Sequence, residues 1–216
     1  MITAKYHPLV RMLAVLLLFA LSLVGNIARA AFPIESSIIL KGGRVHLDES
    51  SQTLEDDVTR RFDSNSNQTY AIAWELRVPT GKSSPHFVGA GLEYVRYHYD
   101  FEPSTGGGTE ADAFIYVVGA KYYYMQPGSA WHPFVGAGIG YGESKVPTSR
   151  YGYNHTIYDS STAYQFTAGV EYRPKSIGVV AEIKHIENSS NDSTSRDFDA
   201  SGWGLFLGLT MRFVGP

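Results

Sequence analysis

The sequence predicts an all-β protein, an eight-stranded antiparallel, up-and-down transmembrane β-barrel. Three observations predict it. Apolar residues recur with a period of two in segment after segment, the face opposite them carries glycine and charge, and the connections alternate long and short along the chain. Period-two patterning belongs to strands rather than helices. Composition agrees: of 216 residues 44% are hydrophobic and only 18% charged, with 15 Tyr and 22 Gly. The absence of Cys excludes disulfide scaffolds, Cys-ligated zinc, iron–sulfur clusters and thiol chemistry. A net charge of −3 offers no basic field for nucleic acid.

Residues 1–30 read as a secretory signal peptide. Lys5 and Arg11 precede an almost wholly apolar run from Met12 to Val24, and Ala28-Arg29-Ala30 supplies small residues where a signal peptidase cuts. The run is shorter than the roughly 20 residues of a spanning helix. Cleavage after Ala30 removes three cations and no acid, which moves the net charge from −3 to −6. Residues 31–216 then form the barrel domain.

The first strand is expected at about 36–47, with a bulge where its alternation fails near Gly42-Gly43. Residues 70–78 set Tyr70, Ile72, Trp74, Leu76 and Val78 against Glu75 and Arg77. The third and fifth strands start from an internal repeat, Phe87-Val88-Gly89-Ala90-Gly91 and Phe134-Val135-Gly136-Ala137-Gly138, each fed by a proline turn. Residues 112–124 fill the fourth, with Phe114, Tyr116, Val118 and Tyr122 opposite Gly119 and Lys121. The last three are 162–173, 177–187 and 202–213, the last with Trp203, Leu205, Leu207, Leu209, Met211 and Phe213 on one face.

Polarity tells which face is inside. A soluble barrel hides its grease and shows its charges. Here one face collects Glu75, Arg77, Glu93, Lys121, Glu171, Arg173, Glu182, Lys184 and Arg212 among glycines, five cations against four anions. Eight strands enclose only enough room for side chains, so the small and paired residues point in and the bulky apolar ones point out, toward lipid. Tyr70, Tyr122, Tyr124, Tyr164, Tyr172, Trp203 and Phe213 near strand ends would form interfacial girdles. Polar connections at about 48–68, 100–111, 144–161 and 188–201 alternate with short Pro- and Gly-rich ones at 79–86, 126–133 and 174–176. All the long ones therefore gather at one end, expected to be extracellular, with both termini periplasmic.

With its paired Phe-Val-Gly-Ala-Gly strand starts, Lys121-Tyr122-Tyr123-Tyr124 and a last strand of Gly208, Met211 and Phe213, the chain resembles the small outer-membrane barrels of Gram-negative bacteria, the OmpA-, OmpX- and OmpW-like proteins. The resemblance covers nearly all of residues 31–216. It implies an outer-membrane location, lipid and lipopolysaccharide as surroundings, and recognition of the last strand by the barrel assembly machinery. Val214-Gly215-Pro216 follow the aromatic that usually ends such chains, and Phe206 stands where a polar residue is common. A peptidoglycan-binding domain of the OmpA type is not expected after Phe213.

Residues 177–188 carry a second, narrower resemblance, to the PagL family of lipid A 3-O-deacylases. That family has His-x-Ser-Asn on its penultimate strand; here His185 matches the base and Asn188 the asparagine. Glu187 occupies the serine position, where a carboxylate cannot form the usual acyl-serine intermediate. Ser189 and Ser190 are offset along the strand by two or three residues, roughly 7–10 Å, and Asp197 and Asp199 are the nearby acids. The competing reading makes His185 and Glu187 rim residues at a lipid–water boundary.

The remaining chemistry is sparse. His46, His86, His98, His132 and His155 are scattered without metal-site spacing. Glu55-Asp56-Asp57 reads as a solvated acidic loop, with calcium binding as the alternative. Gly106-Gly107-Gly108 lacks the strand-to-helix context of a phosphate cradle. No cofactor is expected, no nucleic-acid partner, and a monomer. The expected function is a non-enzymatic outer-membrane barrel with an envelope-structural or surface-interaction role through its loops. A PagL-like deacylase using His185, and a narrow OmpW-like channel for small apolar molecules, are the alternatives.

Overall fold

The alternating segments pair edge to edge and close on themselves in the computed structural model, which describes residues 34–47, 51–53, 59–61, 68–81, 83–100, 110–150, 153–188 and 201–214. The strands are β1 (Glu35–Leu47), β2 (Ser51–Thr53), β3 (Thr59–Arg61), β4 (Gln68–Pro79), β5 (His86–Asp100), β6 (Glu110–Tyr124), β7 (Trp131–Arg150), β8 (Tyr153–Tyr172), β9 (Ile177–Glu187) and β10 (Gly202–Val214). Eight of them form one closed barrel in the order β1-β10-β9-β8-β7-β6-β5-β4, and β2 with β3 makes a separate two-stranded hairpin in the first long connection. Every barrel pairing is antiparallel, and β1 joins the ends of the sheet by bonding β10 on one side and β4 on the other. Such closure leaves the sheet without an edge. The expected leader, Glu55-Asp56-Asp57 and Gly106-Gly107-Gly108 lie outside the described residues.

Two expectations are corrected. There is no bulge at Gly42-Gly43: β1 keeps unbroken register with β10 from Glu35↔Val214 to Leu47↔Gly202. What fails there is the alternation of polarity, because Ile39, Val45 and Leu47 point inward and are buried while the backbone alternates normally. Most of the third long connection, 144–161, is strand rather than loop. β7 and β8 stay paired as far as Arg150↔Tyr153, whereas β7 pairs with β6 only up to Lys145 and β8 with β9 only from Tyr164. The hairpin therefore outruns its neighbours as a two-stranded ribbon.

At the opposite end the turns are tight. Pro127-Gly128 between β6 and β7 occupy the central positions of a turn closed by Ser129 N donating to Gln126 O at 3.0 Å. Gly128 has φ of 79°, the left-handed value that the third residue of a type II turn requires, with proline before it. Between β4 and β5, Thr80 N donates to His86 O at 2.9 Å.

Side chains sort by parity as the period-two pattern demands. Leu205, Leu207 and Leu209 of β10 point outward and are more than half exposed, while Phe206 between them is wholly buried. The outer wall is an apolar surface bounded by Tyr70, Tyr116, Tyr164 and Trp203 toward the long connections and Tyr122, Tyr124, Trp131, Tyr172 and Phe213 toward the turns. Trp203 and Phe213 are ten residues apart, which at about 3.3 Å per residue and a tilt near 40° spans roughly 25 Å. That is the height of the apolar band of a barrel in a bilayer.

Candidate functional site

The barrel interior is layered. Toward the long connections it is apolar, with Val45, Leu47, Val95, Tyr97, Tyr99, Ile115, Ile186 and Phe206 packed together. Toward the turns Ile39, Tyr123, Phe134 and Val180 form a second cluster. Through and between these runs a chain of ion pairs contributed by every barrel strand except β7. Lys41 on β1 lies 2.5 Å from Glu93 and 2.9 Å from Glu182, and Lys184 lies 2.6 Å and 3.0 Å from the same two carboxylates. Lys121 links Glu182 to Glu75 at 3.5 Å each. Arg77 continues from Glu75 to Glu171 at 2.6 Å each, and Arg173 and Arg212 converge on Glu35 at 3.1 and 2.9 Å. Gln165 donates to the second oxygen of Glu93 at 2.9 Å.

All nine charges expected inside are therefore part of one network, and the structure adds Glu35 and Lys41. These two were legible in principle. Carrying strict parity through Gly42-Gly43, instead of allowing a bulge, puts Lys41 on the face of Ser37 and Gly43. Aromatic rings wrap the cations: Arg77 lies 4.1 Å from the Tyr123 ring centroid, Lys121 4.8 Å from Phe134 and Lys184 4.9 Å from Phe206. Phe206, an oddity by sequence, thus caps two lysines on the inner face. The result is a plug. The cavity beside Glu75, Gly91, Lys121 and Thr167 has a volume of about 30 Å³, space for water and not for a larger solute.

Inward glycines make this possible. A Cβ on Gly89 would sit 2.5 Å from Glu75 Oε1, and one on Gly136 would sit 2.6 Å from Lys121 Cγ. The inner face of β7 presents Gly136, Gly138, Gly140 and Gly142 in succession, a bare wall against which long side chains from other strands lie. A Gly89→Val protein should therefore displace Glu75 from Arg77 and lose about 1–3 kcal/mol, the range for overpacking a filled core. Urea titration of the barrel in detergent, followed by Trp fluorescence, reads this directly; an unchanged midpoint would mean the interior is looser than these distances say.

The residues singled out on β9 fall on two sides of the wall. His185 points outward, half-buried, with its ring 4.7 Å from that of Trp203 and its register partners Phe166 and Trp203. Glu187, outward and exposed, pairs with Tyr164. Asn188 is buried, its backbone N–H donating to Ser201 Oγ at 2.9 Å and its side-chain oxygen accepting from Ser161 Oγ. A Cβ on Gly142 would run into the Asn188 amide, which places that side chain within the barrel. The fold thus brings His185 and Glu187 to one face at the upper aromatic rim and sends the Asn188 side chain to the other. Ser189, Ser190, Asp197 and Asp199 lie outside the described residues.

The other histidines are placed separately. His46 is exposed on the outer face opposite Trp203. His86 stacks on Tyr122 and shares a 2.5 Å hydrogen bond with its hydroxyl at the turn end. His98 meets Asp112 at 3.0 Å, and buried His132 approaches Glu171 at 3.8 Å and Ser129 O at 3.2 Å. His155 pairs with Thr148 in the β7–β8 ribbon. Among the described residues no three acidic, His or Cys groups are gathered to hold a metal ion.

No protein-family model matches the chain, and no curated protein matches it. Solved structures do. The N-terminal β-barrel domain of OprF from Pseudomonas aeruginosa is 16% identical with a TM-score of 0.51, over 82% of this chain and 97% of that one. The outer membrane protein OprG from the same organism is 14% identical with a TM-score of 0.53, over 83% and 95%. Ail, the attachment invasion locus protein of Yersinia pestis, crystallised with the heparin analogue sucrose octasulfate, is 16% identical with a TM-score of 0.50, over 84% and 99%. At these identities the likeness is one of fold. The chain has the closed, all-antiparallel barrel of the small outer-membrane proteins.

Proposed function

We propose that this protein is an exported, monomeric outer-membrane barrel whose role is structural or interactive at the cell surface, exerted from the end that carries the long connections. One observation carries the reading. The outer wall is apolar and aromatic over the height of a bilayer, while the buried charges of the described residues are gathered in an ion-paired plug. A belt of outward side chains such as Leu207, two-thirds exposed, suits contact with acyl chains. The plug favours this reading over a channel for small apolar molecules. Against the deacylase alternative stands the split across the wall: His185 faces Phe166 and Trp203, while Asn188 turns inward. The last strand, with Met211 and Phe213 outward, offers the barrel assembly machinery its signal, and lipopolysaccharide is the surrounding solvent of the loop end.

The test joins location to chemistry. Expressed in a Gram-negative host, the protein should appear in the outer-membrane fraction as a heat-modifiable band, and the lipid A extracted from those cells should have an unchanged mass spectrum. Loss of one acyl chain that disappears in a His185→Ala variant would overturn the non-enzymatic reading and make the rim histidine a catalytic base. Recovery of a folded protein from the soluble fraction would overturn the membrane reading.

A further inference from the structure

The outer wall has one gap. Every glycine of the described barrel strands points inward except Gly42 on β1, whose position lies among outward apolar residues. A Cβ built there would meet nothing nearer than Thr69 O at 4.0 Å, whereas at most inward glycines it would strike a neighbour. Above Gly42 the wall opens into a groove of about 440 Å³ flanked by Leu40, Tyr70, Ile72 and Tyr94. That volume falls within the range of small-molecule sites, about 300–1,000 Å³. A glycine inside a strand weakens it and often marks a bulge, a bend or a close approach by a ligand or another backbone; the register excludes a bulge at Gly42, and no backbone lies nearer than Thr69 O.

The rim of the groove is cationic. Arg44 is exposed and two residues beyond Gly42 on the same face, about 7 Å toward the long connections. It pairs with no carboxylate among the described residues. Arg96, whose register partner is Tyr70 beside Gly42, brings a second guanidinium to the far side, where it also holds Asp112 at 3.1 Å. Tyr70, its hydroxyl donating to Gln68 at 3.0 Å, marks the same level as the aromatic rim. Acyl-sized and greasy below, doubly guanidinium above, the groove matches one molecule that is both: a phosphorylated, acylated lipid standing in the leaflet around the loop end. Arg forks match phosphate oxygens bidentately.

We infer that the Gly42 groove is a specific site for an anionic glycolipid of the outer leaflet, with one acyl chain laid over Gly42 and a phosphate held by Arg44. This rests on the membrane reading above. The probes are diphosphoryl hexa-acyl lipid A and the same lipid stripped of its phosphates, each added to the folded protein in detergent and read by native mass spectrometry. Heat-modifiable migration is checked first: a wild-type chain that does not fold as a barrel counts against the membrane reading itself. For the folded protein, one diphosphoryl lipid should be retained at least tenfold more than its dephosphorylated counterpart. Arg44→Gln should abolish that preference. Gly42→Leu, which has room to fold, should fill the groove and lower retention of both lipids, and Lys145→Gln, on β7, should change neither. Equal retention of the two lipids by the wild type, or of the diphosphoryl lipid by wild type and both groove variants, overturns the inference while leaving the barrel intact.

Discussion

A Glu182→Leu protein should lose about 3–5 kcal/mol of unfolding free energy, the cost of stranding buried charge by removing its partner. Glu182 is wholly buried and touches three lysines: Lys41 at 2.9 Å, Lys184 at 3.0 Å and Lys121 at 3.5 Å. Without it Lys41 and Lys184 must share Glu93, and Lys121 keeps only Glu75. The three cannot escape to water, because Phe206 lies over two of them and the apolar cluster of Val95, Ile115 and Ile186 closes the way toward the long connections. The argument is sharpened by the pair. A Glu182→Leu, Lys184→Met double variant removes one charge of each sign and restores the balance, so it should recover most of the loss, since a buried ion pair replaced whole by apolar side chains is often neutral. Urea titrations of folding into phosphatidylcholine vesicles measure all three proteins. A double variant as weak as the single one would show that the network stabilises through its geometry and not through charge balance.

The same network shows what the sequence could and could not reveal. Parity found the inner face because a strand has only two faces and a narrow barrel tolerates little but glycine and paired charge on one of them. It failed on β1, where Ile39, Val45 and Leu47 are apolar and point inward to fill the two lumenal clusters. Polarity there reports the local layer of the interior and not the side of the wall, and a break in polarity imitates a break in the backbone. The third long connection misled for a related reason. Residues 144–150 are mostly polar and contain Pro147, a loop signature in a barrel strand, yet β7 and β8 stay paired as a ribbon beyond their neighbours. The partner choices inside the lumen were unreadable. Lys41 and Glu182 are 141 residues apart, and their meeting depends on the closure of β1 on β10 and the stagger between strands. His185 and Glu187 share a face because they are two apart; Asn188, three from His185, takes the opposite one by the same rule.

The largest effect on the outside should come from Leu207→Arg. Leu207 is 66% exposed, outward on β10, midway between Trp203 and Phe213. If that wall faces acyl chains, an arginine at its mid-height costs about 2–4 kcal/mol, falling to about 0–1 near the interfaces. If the wall faced water, the same change would be neutral or would improve solubility, since it replaces exposed leucine by charge. The sign of the result therefore separates a membrane barrel from a soluble one without any assay of function. Depth supplies the second axis: arginine at Tyr116 or Tyr164, in the upper girdle, should cost markedly less than at Leu207 once the lost ring is allowed for by the matching alanine variants. Folding into phosphatidylcholine vesicles, followed by the gel shift of the folded band across a urea series, gives each value. A flat profile, with Leu207→Arg no worse than the girdle substitutions, would mean that the apolar belt is not immersed, and would take with it both the membrane reading and the lipid assigned to Gly42.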